Sequence, residues 1–598
     1  MFTTRPEILG TFGVVTSTHW LASATGMAML EKGGNAFDAC VAAGFVLQFV
    51  EPHLVGPGGD LPVIFWSAEK KKVEVLCAQG PAPAAATIPA YKALGLDLVP
   101  GSGLLATVIP GAFDGWMQLL RDHGRLTLRQ VLAPAIGYAR NGHPLLPRVA
   151  DAIAGVKSLF ETEWKTSAAV FLPGGDVPKA HALFRNEAAA ATYERILREA
   201  ESRGEDRVSQ IEAARHAWRQ GFVAEAVDRF CRTTEAMDSS GRRHKGLLTG
   251  QDMAGWEAHY EAPASTTYHN WEVFKTGPWG QGPTFLQTLK LLEGFDLARL
   301  DPKGPEFIHI VTEAMKLAFA DREAYYGDPN FANVPLDTLL SKAYNDARRG
   351  LITDKASYDI RPGVLPGFED QVARALAGIR IAGGGTLSGA VGEPTLQAMT
   401  AATRRGDTVH IDVIDAEGNM VSATPSGGWL QSSPVVPELG FPLNSRAQMF
   451  WLDEGLPSSL APGKRPRTTL TPSLALEDGE PRLVFGTPGG DQQEQWQLPL
   501  FLRRVHHGLN LQESIDLPMF HTNHFPSSFY PREARPGHLM VEESIGDAAL
   551  ADLAARGHDI ERAPEWTVGR TTAAENGKDG ILRAAATPRL MQAYAVGR

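Results

Sequence analysis

The chain has 598 residues, 43% hydrophobic and 21% charged, with a formal net charge of −11 at pH 7. This is the balance of an ordinary globular protein, at a length well past the size where one simple core stops growing. The acid excess and the lack of a basic run argue against nucleic acid or a membrane surface as partner. No stretch is long and apolar enough to read as a membrane span.

Cys40, Cys77 and Cys231 are an odd number without a Cys-x-x-Cys pair, so neither a disulfide framework nor a zinc cluster is expected. Buried, inert thiols are the simpler reading. The opening residues Met1 to Glu7 lack the pattern of a secretory signal, which points to the cytoplasm.

Small and apolar residues at helical spacing predict a helix over 22–30, stopped by Gly33-Gly34. Asn35 can cap a second helix, 36–49, apolar on nearly every face and therefore buried. His19 and His53 flank these helices, and partnered side chains are a better reading of them than metal ligands. Gly56-Pro57-Gly58-Gly59 allows close backbone approach. Strands follow at 61–66 and 73–76, with Lys70-Lys71-Lys72 as a solvated turn between them.

Residues 112–235 read as helical, with 181–219 as long, charged, exposed helices, and Thr249 heads another capped helix. A strand at 271–275 leads through a rigid loop, 277–284, into a helix at 285–292. Residues 305–325 read as an amphipathic helix. A glycine-rich approach covers 383–405. Beyond it the pattern turns to strands at 408–413, 420–424, 473–477 and 482–485. His506-His507 read as following a helix. With His521, Asn523 and His524 they match no standard metal spacing.

The segment 406–424 is the most informative. Its apolar and polar residues alternate with the period of a half-buried strand, and Glu417-Gly418-Asn419 is turn chemistry, so it reads as a β-hairpin headed by Thr408. A threonine there is ordinarily only a β-branched strand former. Further motifs accompany it: Gly33-Gly34-Asn35-Ala36-Phe37-Asp38-Ala39, Gly56-Pro57-Gly58-Gly59, Ala320-Asp321-Arg322, Pro462-Gly463-Lys464-Arg465-Pro466 with Thr468-Thr469, and Gly486-Thr487-Pro488-Gly489-Gly490. In this order, from about Gly13 to about His521, they resemble the gamma-glutamyltransferase family of N-terminal-nucleophile hydrolases.

That resemblance implies an α+β fold of four layers, αββα, in which segments 1–407 and 408–598 of one self-cleaved chain interweave. It implies that Thr408 is the nucleophile, that Thr424 and Ser426 hold it, and that Gly489 and Gly490 form the oxyanion hole. Thr468 and Thr469 match a serine pair that binds the substrate carboxylate. The implied substrate is a small γ-glutamyl or glutathione-type amide, with water or an amine as acceptor and no metal or organic cofactor. The two fragments should stay associated, and a homo-oligomer is open.

The chemistry is consistent with the residues. A threonine hydroxyl needs a base beside it, and cleavage before Thr408 would create an α-amine of pKa about 7.7–8.0 on the same residue. The departures lie in the amino-acid clamp. Gln79 stands where relatives carry an arginine for the α-carboxylate, and a glutamine cannot supply the charged fork. Gly428 and Gln448 stand where relatives bind the α-amine. Another carboxylated amide, such as an acylated lactam amine or a small oxo-acid amide, is the alternative substrate, and an inactive binding scaffold is the alternative without catalysis.

Overall fold

A computed structural model describes residues 2–382, 408–591 and 593–598. The glycine-rich approach and Asp407 lie outside the described residues. Two seven-stranded sheets form the centre. The first runs, edge to edge, Tyr594–Gly597, Gly13–Ser17, Ile411–Asp415, Met420–Ala423, Leu61–Ser67, Lys72–Ala78 and His259–Glu261. The second runs Ile8–Gly10, Leu582–Ala586, Thr572–Asn576, Glu480–Gly486, Ser473–Glu477, Trp271–Lys275 and Ala264–Tyr268. All pairings within both are antiparallel.

Three apolar clusters define the layers. Ile411, Val413, Val421 and Val63 of the first sheet pack with Phe45 and Val46 of the helix Ala36–Val50 and with Trp116 and Leu119 of the helix Ala112–His123. Phe485, Ala475 and Val273 of the second pack on the helices Gly282–Leu292, Pro305–Tyr325 and Gln493–His507. Ile414, Met420 and Ile64 meet Leu474, Val484 and Ala574 between the sheets. The order is helix, sheet, sheet, helix, as the resemblance implies. Each sheet draws strands from both sides of Thr408, so the two segments interweave.

Several expectations are corrected. Both strands of the hairpin, Ile411–Asp415 and Met420–Ala423, are fully buried. Its alternation separates two packed faces: Ile411 and Val413 meet helices, while Asp412 and Ile414 face the other sheet. The regular first strand spans Ile411–Asp415, and Thr408 joins through a single bridge to Ser426. The charged region 181–219 forms the helices Glu187–Glu201 and Arg207–Arg219, each burying one apolar face, with Tyr193 against Phe45 and Phe49. Pro305–Tyr325 is buried almost all round, because its polar residues are paired inside, as in Lys316–Glu313 and Arg322–Glu323. His506 and His507 close the helix Gln493–His507 instead of following it.

Local chemistry explains how the hairpin is anchored. Asn35 accepts from the amides of Phe37 and Asp38, and Asp38 answers on the Asn35 amide, a complete capping box. The same helix end is tied to the hairpin, since Asp415 Oδ2 accepts from the Ala36 amide at 2.8 Å. Gly418 turns the hairpin at φ 84°, a conformation that favours glycine. Among the described residues no helix is long and apolar enough to cross a membrane. All three cysteines are buried and unbridged.

Candidate active site

The site lies at one end of the gap between the sheets. Thr408 bridges Ser426, Ser426 bridges Asp60, and Leu61 pairs with Ala78. One step along that register sets Asp60 beside Gln79, so Thr408, Ser426, Asp60 and Gln79 form a row across four strands. All four are completely buried. The Oγ atoms of Thr408 and Ser426 are 3.2 Å apart, so the two hydroxyls share a hydrogen bond.

Thr424 does something else. It lies opposite His410, and its hydroxyl is 2.8 Å from His410 Nδ1. His410 Nε2 is 2.8 Å from Asp412 Oδ1. An ionised carboxylate only accepts, so Nε2 carries the proton and Nδ1 accepts from Thr424. Asp412 Oδ1 also accepts from Ser422, and Oδ2 from Thr16 at 3.0 Å and Thr572 at 2.8 Å. Thr572 belongs to the other sheet, so Asp412 ties the two sheets together four residues along the chain from Thr408. Residue 486 must be glycine, because a Cβ there would lie 2.0 Å from the His410 ring.

From Gly486 the chain continues into the candidate oxyanion turn. Gly489 has φ 128° and Gly490 φ 54°. A Cβ on Gly489 would meet Trp496 at 2.3 Å, and one on Gly490 would meet Phe529 at 2.9 Å. The N–H groups of both donate to no acceptor among the described residues, which leaves them for a ligand oxygen. The turn is braced from behind. Gln281 Nε2 donates to Gly490 O at 3.2 Å, and Arg322 donates to Gln281 Oε1 and to Asp491. The Gln281 amide donates to Thr468 O, which links the turn to the threonine pair. Thr468 Oγ1 accepts from the Leu470 amide, while the buried Thr469 Oγ1 has no partner among the described residues.

The clamp positions behave differently. Gln79 Nε2 donates only to its neighbour Gly80 O, and its buried Oε1 has no partner among the described residues. Gln448 is engaged by the protein: Nε2 donates to Gly101 O and Ser445 Oγ, and Oε1 accepts from the Tyr530 amide. Gly428, at φ 65°, lies so close to Gly58 and Gly59 that a Cβ would sit 2.8 Å from their backbone. A larger side chain there would displace that segment.

A cation near the row went unnoticed in the sequence. Arg446 Nε donates to Asp60 Oδ1 at 3.0 Å and its guanidinium lies over Trp429. Burial pushes the Asp60 carboxyl above the usual carboxylate range, and Arg446 opposes the shift. The alternation that places His410 and Asp412 on the face of Thr408 was a readable signal. The Asp60–Arg446 pair, 386 residues apart, was not.

Four of the histidines weighed as ligands have hydrogen-bond partners in the fold. His19 Nδ1 caps its helix by accepting from Leu21, and burial lowers its pKa to about 3. His506 meets Tyr268, His507 meets Leu300 O, and His524 accepts from Gly537.

Two antiparallel sheets between helical layers, with a buried threonine leading into a central strand of one and a glycine turn leaving a central strand of the other, are the architecture of an N-terminal-nucleophile type of hydrolase. The family model described as Gamma-glutamyltranspeptidase matches residues 22–597, and the chain belongs to that family. It is an enzyme of that family, acting by amide hydrolysis or acyl transfer. The chain is similar to the glutathione hydrolase-like YwrD proenzyme of Bacillus subtilis strain 168, at 29% identity over 98% of each chain. It is 30% identical to the acylase ACY 1 proenzyme of Pseudomonas sp. strain SE83, over 96% of this chain and 92% of that one. The solved structure of LmbA2991HD has 53% identity and a TM-score of 0.91, with all of both chains covered.

Proposed function

We propose that the protein cleaves itself before Thr408 and then hydrolyses or transfers the acyl group of a small carboxylate-bearing amide of the γ-glutamyl type. The observations that carry this are the buried row from Thr408 to Gln79 and, three residues beyond Gly486 at the His410 ring, a glycine turn whose N–H groups are open among the described residues. In the first step the Thr408 hydroxyl attacks the Asp407 carbonyl, and water opens the resulting ester. The new α-amine of Thr408 then takes the hydroxyl proton as Oγ attacks the substrate carbonyl. Gly489 and Gly490 hold the developing oxyanion, each donor contributing about 3 kcal/mol. The amine leaves with the proton, and water or an acceptor amine releases the acyl group from Thr408.

A second reading differs in the acyl group alone. Gln79 brings no charge, Gln448 is tied to Gly101, Ser445 and Tyr530, and Gly428 leaves no room for a side chain. These observations favour an acyl group with an acid end but no α-ammonium group. Losing two charge-assisted contacts of roughly 1.5–3 kcal/mol each should weaken γ-glutamyl recognition by two orders of magnitude or more. Comparing γ-glutamyl-p-nitroanilide with glutaryl-p-nitroanilide and a panel of other acyl anilides tests both readings. Preference for the γ-glutamyl compound would remove the second, and no turnover of any amide by self-cleaved protein would remove both.

A further inference from the structure

Beside the glycine turn and the threonine pair lies a group of five buried charges. Arg322 pairs with Glu323 and Asp491, and Arg467 pairs with Glu323 at 2.8 Å. Arg532 Nη2 lies 4.0 Å from Glu323 Oε2. None of the five side chains is more than 6% exposed. Burial opposes ionisation of Asp491 and Glu323, yet the arginines around them outweigh it and hold both carboxyls below their ordinary range. Among the described residues, three guanidinium groups therefore face two carboxylates, leaving one surplus positive charge. An uncompensated charge in such a place is strongly unfavourable, so the arrangement calls for an anion.

The hydrogen bonds show where the surplus sits. Arg322 donates to Glu323, Gln281, Asp491 and Pro526 O. Arg467 donates to Glu323 and Ser528 but leaves Nε without an acceptor among the described residues. Arg532 donates from Nη1 to Met449 O at 2.7 Å, and its Cζ lies over the Trp451 ring at 3.8 Å from the centroid. Its Nε and Nη2 have no acceptor among the described residues. These two nitrogens form one edge of the guanidinium, the fork that fits a carboxylate with two parallel hydrogen bonds. Arg532 follows Tyr530, whose amide holds Gln448, and Arg467 precedes the Thr468–Thr469 pair.

We propose that Arg532, backed by Arg467, forms an anion subsite that receives the carboxylate of the acyl substrate. This rests on the proposed function and names its substrate class: an acyl donor with a free acid group, held by a cation that lies far from position 79 in the sequence. The contact with Trp451 and the bond to Met449 hold the guanidinium, so the fork is set before the substrate enters.

The test compares glutaryl-p-nitroanilide with its methyl ester in the wild type, in Arg532→Gln and in Arg532→Lys. The wild type should favour the acid by roughly 10- to 100-fold in kcat/KM, the range of a charge-assisted hydrogen bond. Arg532→Gln should lose that preference through KM with kcat little changed. Arg532→Lys, which keeps the charge but not the fork, should retain part of it. Acetate should inhibit the wild type competitively against the acid substrate. An equal rate on acid and ester in the wild type, or a preference that survives in Arg532→Gln, overturns the proposal. Arg532-dependent thermal stabilisation by acetate or chloride without competition means a structural anion, which also overturns it. If self-cleaved enzyme turns over neither anilide, calorimetric binding of glutarate to the wild type and to Arg532→Gln decides. Saturable binding lost in the variant supports the subsite, and its absence from the wild type ends it.

Discussion

Replacing Gly489 with alanine should disable acyl transfer while leaving the fold in place. The new Cβ would lie 2.3 Å from the ring of Trp496, against an ordinary carbon–carbon contact of about 3.5–4.0 Å. Trp496 is completely buried and set edge-on to His521, so it has little freedom to retreat. The turn itself must move by roughly 1 Å, and a misplacement of that size costs about 10²-fold in rate. Loss of one oxyanion donor is worth about 3 kcal/mol, again near 10²-fold. The φ of 128° adds strain for any residue with a side chain. The expected result is a kcat lowered by about 10²–10³, with KM little changed, measured on the best anilide of the wild type. Gly479→Ala is the control, since that glycine has φ 84° but nothing within 4 Å of a Cβ; it introduces strain away from the site and should leave kcat alone. A Gly489→Ala enzyme within threefold of the wild type would refute the assignment of this turn as the oxyanion hole.

Asp412→Asn should slow self-cleavage by at least tenfold and lower the thermal midpoint. It removes the charge from four hydrogen bonds, each roughly 1.5–3 kcal/mol with a charged acceptor and about 1 kcal/mol without. A gel time course with the midpoint measured alongside checks this, and no change in either would show that the chain from Thr424 to Asp412 is idle. His521→Leu should blunt acid sensitivity. Burial holds the His521 pKa at about 3 against an ordinary 6.5, so only the unfolded chain takes the proton as pH falls below 6.5. The stability lost by pH 5 is therefore about 2 kcal/mol, and the gap between midpoints at pH 7.5 and pH 5 should narrow in the variant. An unchanged gap would mean that this ring is not what titrates.

The layers were legible in the sequence because strand and helix periods are local. The capped helix after Asn35, the turn at Gly418 and the strands on either side of Gly479 follow from neighbouring residues. Burial was harder to read. Alternation such as His410, Asp412, Ile414 signals one wet face when a sheet borders water, but here His410 is held by Thr424 and Asp412, and Asp412 meets Thr572 of another sheet. The same limit hid the buried polar surface of Pro305–Tyr325, whose partners come from segments far along the chain. The hairpin headed by Thr408 and the Gly489-Gly490 turn were legible as motifs. The roles of Thr424 and Gln448 were not, because each is set by a distant partner: the neighbouring strand for Thr424, and Gly101 and Tyr530 for Gln448.

The most direct test of the account is the mass and N-terminal sequence of the purified, active protein. The account predicts two associated fragments, residues 1–407 and 408–598, the second beginning with Thr408 and carrying a free α-amine, and a single intact chain for Thr408→Ala. Full activity in an uncleaved wild-type chain, or a new N-terminus at any other residue, would contradict it.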